Sequence, residues 1–337
     1  MYPVLSDTVD VHLANSRDVR QRPGKQTDKS DATWIAELLA HGLLKPSLVP
    51  PPKIRALRDL TRTRVALVQT RTQFKNRVYK MLEDSNIKLA SVVSDWFGKS
   101  ARRMLDALVV GEGDSQQLSV MALGTLRRKL PQLEVALEGQ FPEHHAKLIG
   151  GALELVDVLG RQIAEIDQEL QELLSPMAPQ LEQLDSIPGV SDITARDILA
   201  EIGLDMTRFG SASRLASWAG VSPGNNESAG KRRKGRTRKG NRYLRRVWVQ
   251  CAWATRKTST FLGRTFRRLE ARLGSKKAAM AVAHKILVII YHLLREGTFY
   301  EEERYDRLLP RQEERERKRA IKALERLGYA VSLEKVA

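Results

Sequence analysis

The stretch from residue 150 to 175 repeats apolar side chains at the spacing of a coiled coil, which limits the possible folds more than any other feature. Steps of three and four residues separate Ala152, Leu155, Leu159, Ile163, Ile166, Leu170 and Leu173. Such a stripe requires one long helix and a partner helix to cover it. A second long helix is predicted from Ile54 to about Asn86, with a seam that Arg64 and Arg71 interrupt. We expect a mainly α chain in which these helices form an antiparallel coiled-coil arm and add contacts between copies; the alternative is that they are core helices of an all-α domain.

The charge of the chain indicates its class of partner. The 337 residues carry a formal net charge of +17 and a pI of about 10.1. Each cation that neutralises a phosphate releases a condensed counterion, so an excess this large favours a nucleic acid as partner. An anionic membrane surface is the competing interpretation, but the apolar block around Ile286–Tyr291 is too short to span a bilayer. Because Cys251 is the only cysteine and no secretion signal is recognisable, we expect a cytoplasmic protein without a membrane anchor.

Local patterns divide the chain into segments. Residues 8–16 alternate apolar and polar side chains, which predicts a strand. Asp31 stands at the expected N-cap of the helix that follows, and the proline-rich residues 45–53 indicate a domain boundary. Residues 176–300 predict helices joined by short loops.

The segment "LDSIPGVSDITARDILAEIG", residues 184–203, has the layout of a helix-hairpin-helix. Its turn contains Gly189, Val190 and Ser191, and such a turn directs backbone N–H groups and a helix N-terminus at a phosphate. We therefore predict nucleic-acid contact here. The alternative is a tight turn between two core helices.

A cationic run follows shortly after this segment. Its predicted nucleic-acid contacts are Lys231, Arg232, Arg233, Lys234, Arg236, Arg238, Lys239 and Arg242. Arginine outnumbers lysine in the run, and its guanidinium binds phosphate oxygens bidentately. Tyr243 and Trp248 on the adjoining helix are predicted to offer stacking surfaces for bases.

Ser228 and a pair of acids are the candidates for chemistry. No histidine lies near Ser228 in sequence, which disfavours a serine hydrolase, whereas the cations after it suit phosphoryl transfer. The residues alone leave open whether Ser228 is a nucleophile or a turn residue. Asp28 and Asp31 are either helix-capping and first-turn acids or two ligands of Mg²⁺.

Several segments together resemble a known family. They are "PGKQTDKSDATWIAELLAHGLLKPSLVPP", "SIPGV…AEIG", "FGSASRLASWAGVSPGNNESAGKRRKGRTRKGNRYLRR" and "AVAHKILVIIYHLL", in that order along the chain. They are similar to the DEDD/serine transposases of insertion sequences, recombinases described as guided by a bridge RNA. The resemblance covers nearly the whole chain, and the block 209–246 is its most specific part.

The resemblance implies four segments, which combine an α/β remnant with helical domains. Residues 1–50 would be the C-terminal remnant of a ribonuclease-H-like domain, 51–175 the coiled-coil region, 176–300 the transposase domain with its helix-hairpin-helix, and 301–337 a charged helical tail. In that family a serine attacks a DNA phosphate and four acids bind Mg²⁺. Ser228 matches the serine.

Asp28 and Asp31 match the last two of the four acids. The first two would precede this chain, so about a hundred residues would be missing upstream. The implied function is a transposase that binds DNA and a guide RNA. We expect a homodimer or homotetramer in the bacterial cytoplasm, associated with the nucleoid when it is bound to DNA. A non-catalytic, nucleic-acid-binding remnant of such an enzyme is the alternative.

Overall fold

The computed structural model describes most of the chain. The described residues are 8–14, 19, 28–44, 47, 49–222, 227–228, 231–232, 240–306, 321–322, 324–326, 328 and 330–331. For Asp28, Lys29 and the four residues at 227–228 and 231–232, the description is of the backbone alone.

Within these residues the chain is mainly helical, as predicted. The α-helices are α1 (Asp28–Ala40), α2 (Pro52–Asp84), α3 (Leu89–Val92), α4 (Lys99–Val110), α5 (Ser115–Ser119), α6 (Leu130–Leu137), α7 (Glu143–Leu174), α8 (Ala178–Asp185), α9 (Asp192–Ile202), α10 (Ala212–Ala219), α11 (Arg242–Thr255), α12 (Phe261–Leu273), α13 (Ser275–Glu296) and α14 (Glu302–Asp306). Short 3₁₀ helices cover Gly124–Lys129, Ser175–Met177 and Met206–Phe209, and strands β1 (Glu227–Ser228) and β2 (Lys231–Arg232) form a hairpin.

The chain divides into two compact units, Met1–Arg55 and Ala56–Ala337. The first contains α1, which buries Leu38 but leaves Ile35 and Leu39 more than two-fifths exposed. Two sequence predictions for this unit are wrong. Residues 8–13 form no strand, and Ala14 makes only an isolated bridge, because a short alternating segment needs a neighbouring strand. Asp31 is not the N-cap, because α1 already begins at Asp28.

The second unit contains two hydrophobic cores. The first core draws its buried side chains from residues 78 to 153, between the C-terminal half of α2 and the N-terminal half of α7. The second core draws on residues 184 to 293. Its centre is α13, which packs against α8, α10, α11 and α12. Val221, at the start of the segment that carries Ser228, is buried in this second core.

The short apolar block around Ile286–Tyr291 belongs to a longer apolar helix, α13. By length and composition it is apolar enough to cross a bilayer, although the uninterrupted apolar block within it is short. However, ten of its side chains, from Ala278 to Leu293, are buried. Buried core helices of globular domains can be equally long and apolar, so the packing of α13 explains its composition.

Helices α2 and α7 run antiparallel where they touch. Arg64 forms a two-bonded ion pair with Asp167, with Nε–Oδ1 at 2.5 Å, whereas Ser85 Oγ lies 2.8 Å from Nδ1 of His145. Each of the two arginines that interrupt the apolar seam of α2 therefore faces a residue that interrupts the apolar seam of α7. Arg64 meets an aspartate, and a Cβ on Gly160 would lie 4.0 Å from Arg71. Coiled-coil packing itself stays a prediction.

The buried stripe on α7 differs from the predicted one. The structure buries Ile149, Ala152, Leu153, Val156, Ile163, Leu170 and Leu174. Leu155 is 45% exposed, and Leu159, Ile166 and Leu173 are only half-buried. Ala152, Ile163 and Leu170 of the predicted stripe are buried, and the other four predicted residues are not. The prediction missed part of the buried stripe because that stripe contains Gly160 and Asp167, which look like interruptions in the sequence.

Candidate nucleic-acid interface

Ser228 lies in a short antiparallel hairpin. The backbone register pairs Ser228 with Lys231 and Glu227 with Arg232, so two residues separate the strands. This register places the predicted nucleophile directly opposite the first cation of the run. Arg233, Lys234, Arg236, Arg238 and Lys239 lie outside the described residues.

Two glycines join the ends of the segment that carries the hairpin. Gly220 ends α10 in a left-handed conformation, with φ of 75°. Gly240 packs so closely against it that a Cβ at residue 240 would collide with the Gly220 backbone nitrogen. We call the segment from 221 to 239 the serine loop and this glycine contact its neck. Since both ends of the loop meet on the second core, its base is fixed in space.

Asn241 connects the neck to a buried carboxylate. Its side-chain oxygen accepts hydrogen bonds from the N–H groups of Tyr243 and Leu244, which makes it the N-cap of α11. Its side-chain amide donates to Glu201 Oε2 at 2.5 Å. Glu201 is the penultimate residue of α9 and is only 3% exposed. One asparagine thus joins the start of α11 to the end of α9.

Two arginines from α2 neutralise Glu201. Arg62 donates to both carboxylate oxygens, with Nε–Oε1 at 2.7 Å and the second bond at 3.0 Å. Arg58 lies 3.3 Å from Oε2 and also donates to the backbone carbonyls of Ala200 and Glu201. Burial lowers the pKa of Arg58, and Glu201 opposes that shift. This network positions α2, α9 and α11 around the loop neck.

A groove of about 310 Å³ lies between α2 and α11, beside the network. Tyr243 stands in it with the guanidinium carbons of Arg62 and Arg242 at 4.4 and 4.8 Å from its ring centroid. Arg242 also donates to the Tyr243 hydroxyl at 2.8 Å, an interaction that raises the pKa of Arg242. Tyrosine thus holds two cations close together through hydrogen bonding and cation–π attraction.

Asp197 is a second buried acid next to this groove. Its carboxylate lies 3.7 Å from Arg246, and its side chain is 13% exposed. Burial raises the pKa of Asp197 to about 6, opposed by Arg246 and Arg64 and reinforced by Glu201. The ionised form of Asp197 is therefore less favourable in the folded protein than in the unfolded chain.

Asp197→Asn is expected to stabilise the protein at pH 7.5 by about 1–3 kcal/mol. The folded pKa of Asp197 exceeds its ordinary value of 3.8, so its contribution to stability is greatest below pH 3.8 and is lost as pH rises through about 6. Urea unfolding at pH 5 and 7.5 measures this, with Asp106→Asn on the exposed side of α4 as control. A destabilised Asp197→Asn protein at pH 7.5 would contradict the prediction.

The three residues predicted to contact nucleic acid in the helix-hairpin-helix segment differ in their exposure. Gly189 has φ of 88°, and a Cβ there would lie 2.6 Å from the carbonyl oxygen of Cys251 on α11. Val190 is buried, and only Ser191 is exposed, at the N-cap of α9. The glycine is therefore needed for close helix packing. The prediction for Trp248 is wrong, because that indole is fully buried in the second core and offers no face for stacking.

Asp28 and Asp31 both belong to the first turns of α1, and only the Asp31 side chain is described. Among the described side chains, no group of three or more His, Cys, Asp or Glu could hold a metal ion. Mg²⁺ prefers near-octahedral oxygen coordination. The described residues therefore do not complete the magnesium site that the resemblance implies.

Sequence reasoning missed the residues that position the loop, namely Arg58, Arg62, Glu201 and Asn241. One signal was available for Asn241, because an asparagine directly before a helix is a typical N-cap. The ion pairs gave no such signal, since Arg62 and Glu201 are 139 residues apart.

Comparison with known proteins identifies two matching family models. The model described as transposase, IS116/IS110/IS902 family, matches residues 181–266, which include the neck and the serine loop. A DEDD-type IS110 transposase model matches residues 6–87.

Two curated relatives match longer stretches. The "uncharacterized 43.6 kDa protein" of insertion element IS110 from Streptomyces coelicolor is 28% identical over 219 residues, 64% of this chain and 48% of that protein. "Putative transposase y4qE" from Sinorhizobium fredii is 26% identical over 281 residues, 82% of this chain and 60% of that protein. The chain thus matches about half to three-fifths of the length of these relatives.

Proposed function

Because the chain belongs to the IS110 family of insertion-sequence transposases, we propose that it binds DNA and cuts and rejoins DNA strands through a phosphoserine bond at Ser228. The observation that carries the proposal is the serine loop. The loop bears Ser228 and the cationic run and is attached at a glycine neck beside two arginines that pair with the buried Glu201.

The proposed step is a transesterification. The Ser228 hydroxyl attacks the phosphorus of a DNA phosphodiester, an Oγ–P bond forms, and the P–O bond to the leaving strand breaks. The serine proton leaves with a general base and the departing oxygen receives a proton, so a strand hydroxyl is released. Rejoining reverses the step with a hydroxyl of another strand.

The cations of the loop supply the electrostatic part of this proposal. Lys231, Arg232 and Arg233 would neutralise the charge that develops on the non-bridging oxygens. The backbone pairing of Ser228 with Lys231 supports a position of the lysine near the reacting phosphate. The remaining contacts would come from Lys234, Arg236, Arg238, Lys239 and Arg242.

The other partners stay proposals as well. A guide RNA would bind the same cationic surface, and Ser191 with its helix N-terminus would add a backbone contact. Asp28 and Asp31 would supply two carboxylates to Mg²⁺. The protein would act in the bacterial cytoplasm, where its DNA is. The alternative, a nucleic-acid-binding remnant without strand transfer, shares all of these contacts except the covalent one.

DNA binding is expected to weaken about 10³- to 10⁵-fold between 50 and 200 mM salt, the response when six to ten phosphates are neutralised. Fluorescence anisotropy with a labelled duplex measures the slope. Replacing Lys231 and Arg232 together by glutamine should reduce the slope by about 2. Replacing the exposed pair Lys276 and Lys277 on α13 removes equal charge elsewhere and should change it less. A flat salt response of the unaltered chain would overturn the proposal.

We also propose that the chain self-associates through α7. The half-exposed stripe of Leu155, Leu159, Ile166 and Leu173 has heptad spacing and lies on α7 beside the buried one. Leu159→Asp with Ile166→Asp is therefore expected to convert a dimer or tetramer to monomer, because two charges cannot be buried in an apolar seam. Light scattering gives the mass, and Glu165→Gln with Glu169→Gln serves as control. A monomeric parent protein would contradict this.

A further inference from the structure

The groove between α2 and α11 has the composition of an anion site. Arg62 and Gln69 line it from α2, and Arg242, Tyr243 and Arg246 line it from α11. Among the described residues no acidic side chain lines this groove. Its volume of about 310 Å³ is at the lower end of the range for small-ligand sites.

Two of the three arginines have spare hydrogen-bonding capacity. Arg62 is neutralised by Glu201. In the described part of the chain Arg242 forms no ion pair, and its contacts are with Tyr243. Arg246 reaches Asp197 only at 3.7 Å, and its buried Nε has no hydrogen-bond partner. The Arg246 side chain as a whole is 36% exposed and lines the groove, so an acceptor there can reach its other guanidinium N–H groups.

The placement of these cations opposes the stability of α11. Helix α11 begins with Arg242, Arg245 follows in its first turn and Arg246 in its second, and that first turn contains no acid. Cations at a helix N-terminus interact unfavourably with the helix dipole, which favours anions there. Departures from such local rules occur where function requires them. An anion bound in the groove would interact favourably with the arginines and the helix end together.

We propose that this groove binds a phosphodiester of the nucleic-acid strand that enters the serine loop. Arg242 and Arg246 would donate to its non-bridging oxygens, whose geometry the guanidinium fork matches. Tyr243 keeps Arg242 in position. Arg242 in the groove is two residues from Gly240 of the neck, so a strand bound at the base of the loop would lie close to the groove. The inference rests on the proposed function and adds Arg62, Gln69, Tyr243 and Arg246 to the interface.

Binding of a single-stranded octathymidylate by the full chain, measured by anisotropy at about 50 mM salt, tests the inference. Arg242→Ala and Arg246→Ala are each expected to weaken binding about ten- to a hundredfold, the loss for one charged hydrogen-bonding group. Arg272→Ala, an exposed arginine on α12 outside the groove, should change binding less than twofold. Tyr243→Phe removes only the hydroxyl and should cost less than Arg242→Ala. Thermal unfolding checks that each variant is folded.

Photocrosslinking with 5-iododeoxyuridine in the same oligonucleotide gives a positional readout, with Tyr243 as the expected site. If the unaltered chain binds no DNA, the proposed function fails. If it binds, but the groove variants equal Arg272→Ala and crosslinks map elsewhere, the groove inference alone is overturned. If thymidine monophosphate or inorganic phosphate competes as strongly as the oligonucleotide, the groove binds free anions and the assignment to a strand is wrong.

Discussion

Replacing Ser228 by alanine is expected to abolish any covalent protein–DNA adduct while leaving DNA affinity within about twofold. The adduct needs the serine oxygen, whereas one hydroxyl adds little to an interface dominated by charge. Labelled DNA that stays with the protein through denaturing electrophoresis, and is released by protease, measures the adduct in the presence of Mg²⁺. Peptide mapping then locates the modified residue.

Two matched variants make this result specific. Ser222→Ala alters another serine near the start of the same loop and should leave the adduct unchanged. Arg233→Ala should weaken both the adduct and binding, since that cation is proposed to contact the reacting phosphate. An adduct that persists in Ser228→Ala would show that the serine is a bystander. DNA binding by the unaltered chain without any adduct would favour the non-catalytic alternative.

Glu201→Ala is expected to lower the free energy of unfolding by about 3–5 kcal/mol, the usual cost of breaking a buried ion pair by removing one partner. The substitution removes the carboxylate that accepts hydrogen bonds from Arg62 and Asn241 and forms an ion pair with Arg58. Glu201→Gln retains the size and one acceptor and should cost less. Urea unfolding at constant pH measures the difference.

Asp157→Ala is the matched control for Glu201. Asp157 also accepts two hydrogen bonds from one arginine, Arg102, both at 2.7 Å, but it is 47% exposed. Solvent screens such a pair, so its loss should cost about 1 kcal/mol or less. Equal losses for Glu201→Ala and Asp157→Ala would show that burial of the Glu201 network contributes no stability of its own.

The sequence was sufficient for predictions that depend on local patterns. The two long helices and the mainly α content follow from apolar residues spaced three and four apart, because this spacing places them on one face of a helix. The family follows from the block around Ser228, whose residues the comparisons match. The alternating segment at 8–16 failed as a strand, because a strand needs a partner that local pattern does not reveal.

Tertiary structure decided which surfaces are buried and which charges meet. Helix α7 carries two apolar stripes, and only the packing of α2 shows that the one with Gly160 and Asp167 is covered. Trp248 reads as a stacking surface beside a basic run, but the turn of α11 directs it into the core. Arg62, Glu201 and Asn241 meet only because α2, α9 and α11 converge at the neck. The hydrophobic effect and ion pairing act on distance in space, so residues far apart in the chain carry no local sign of these contacts.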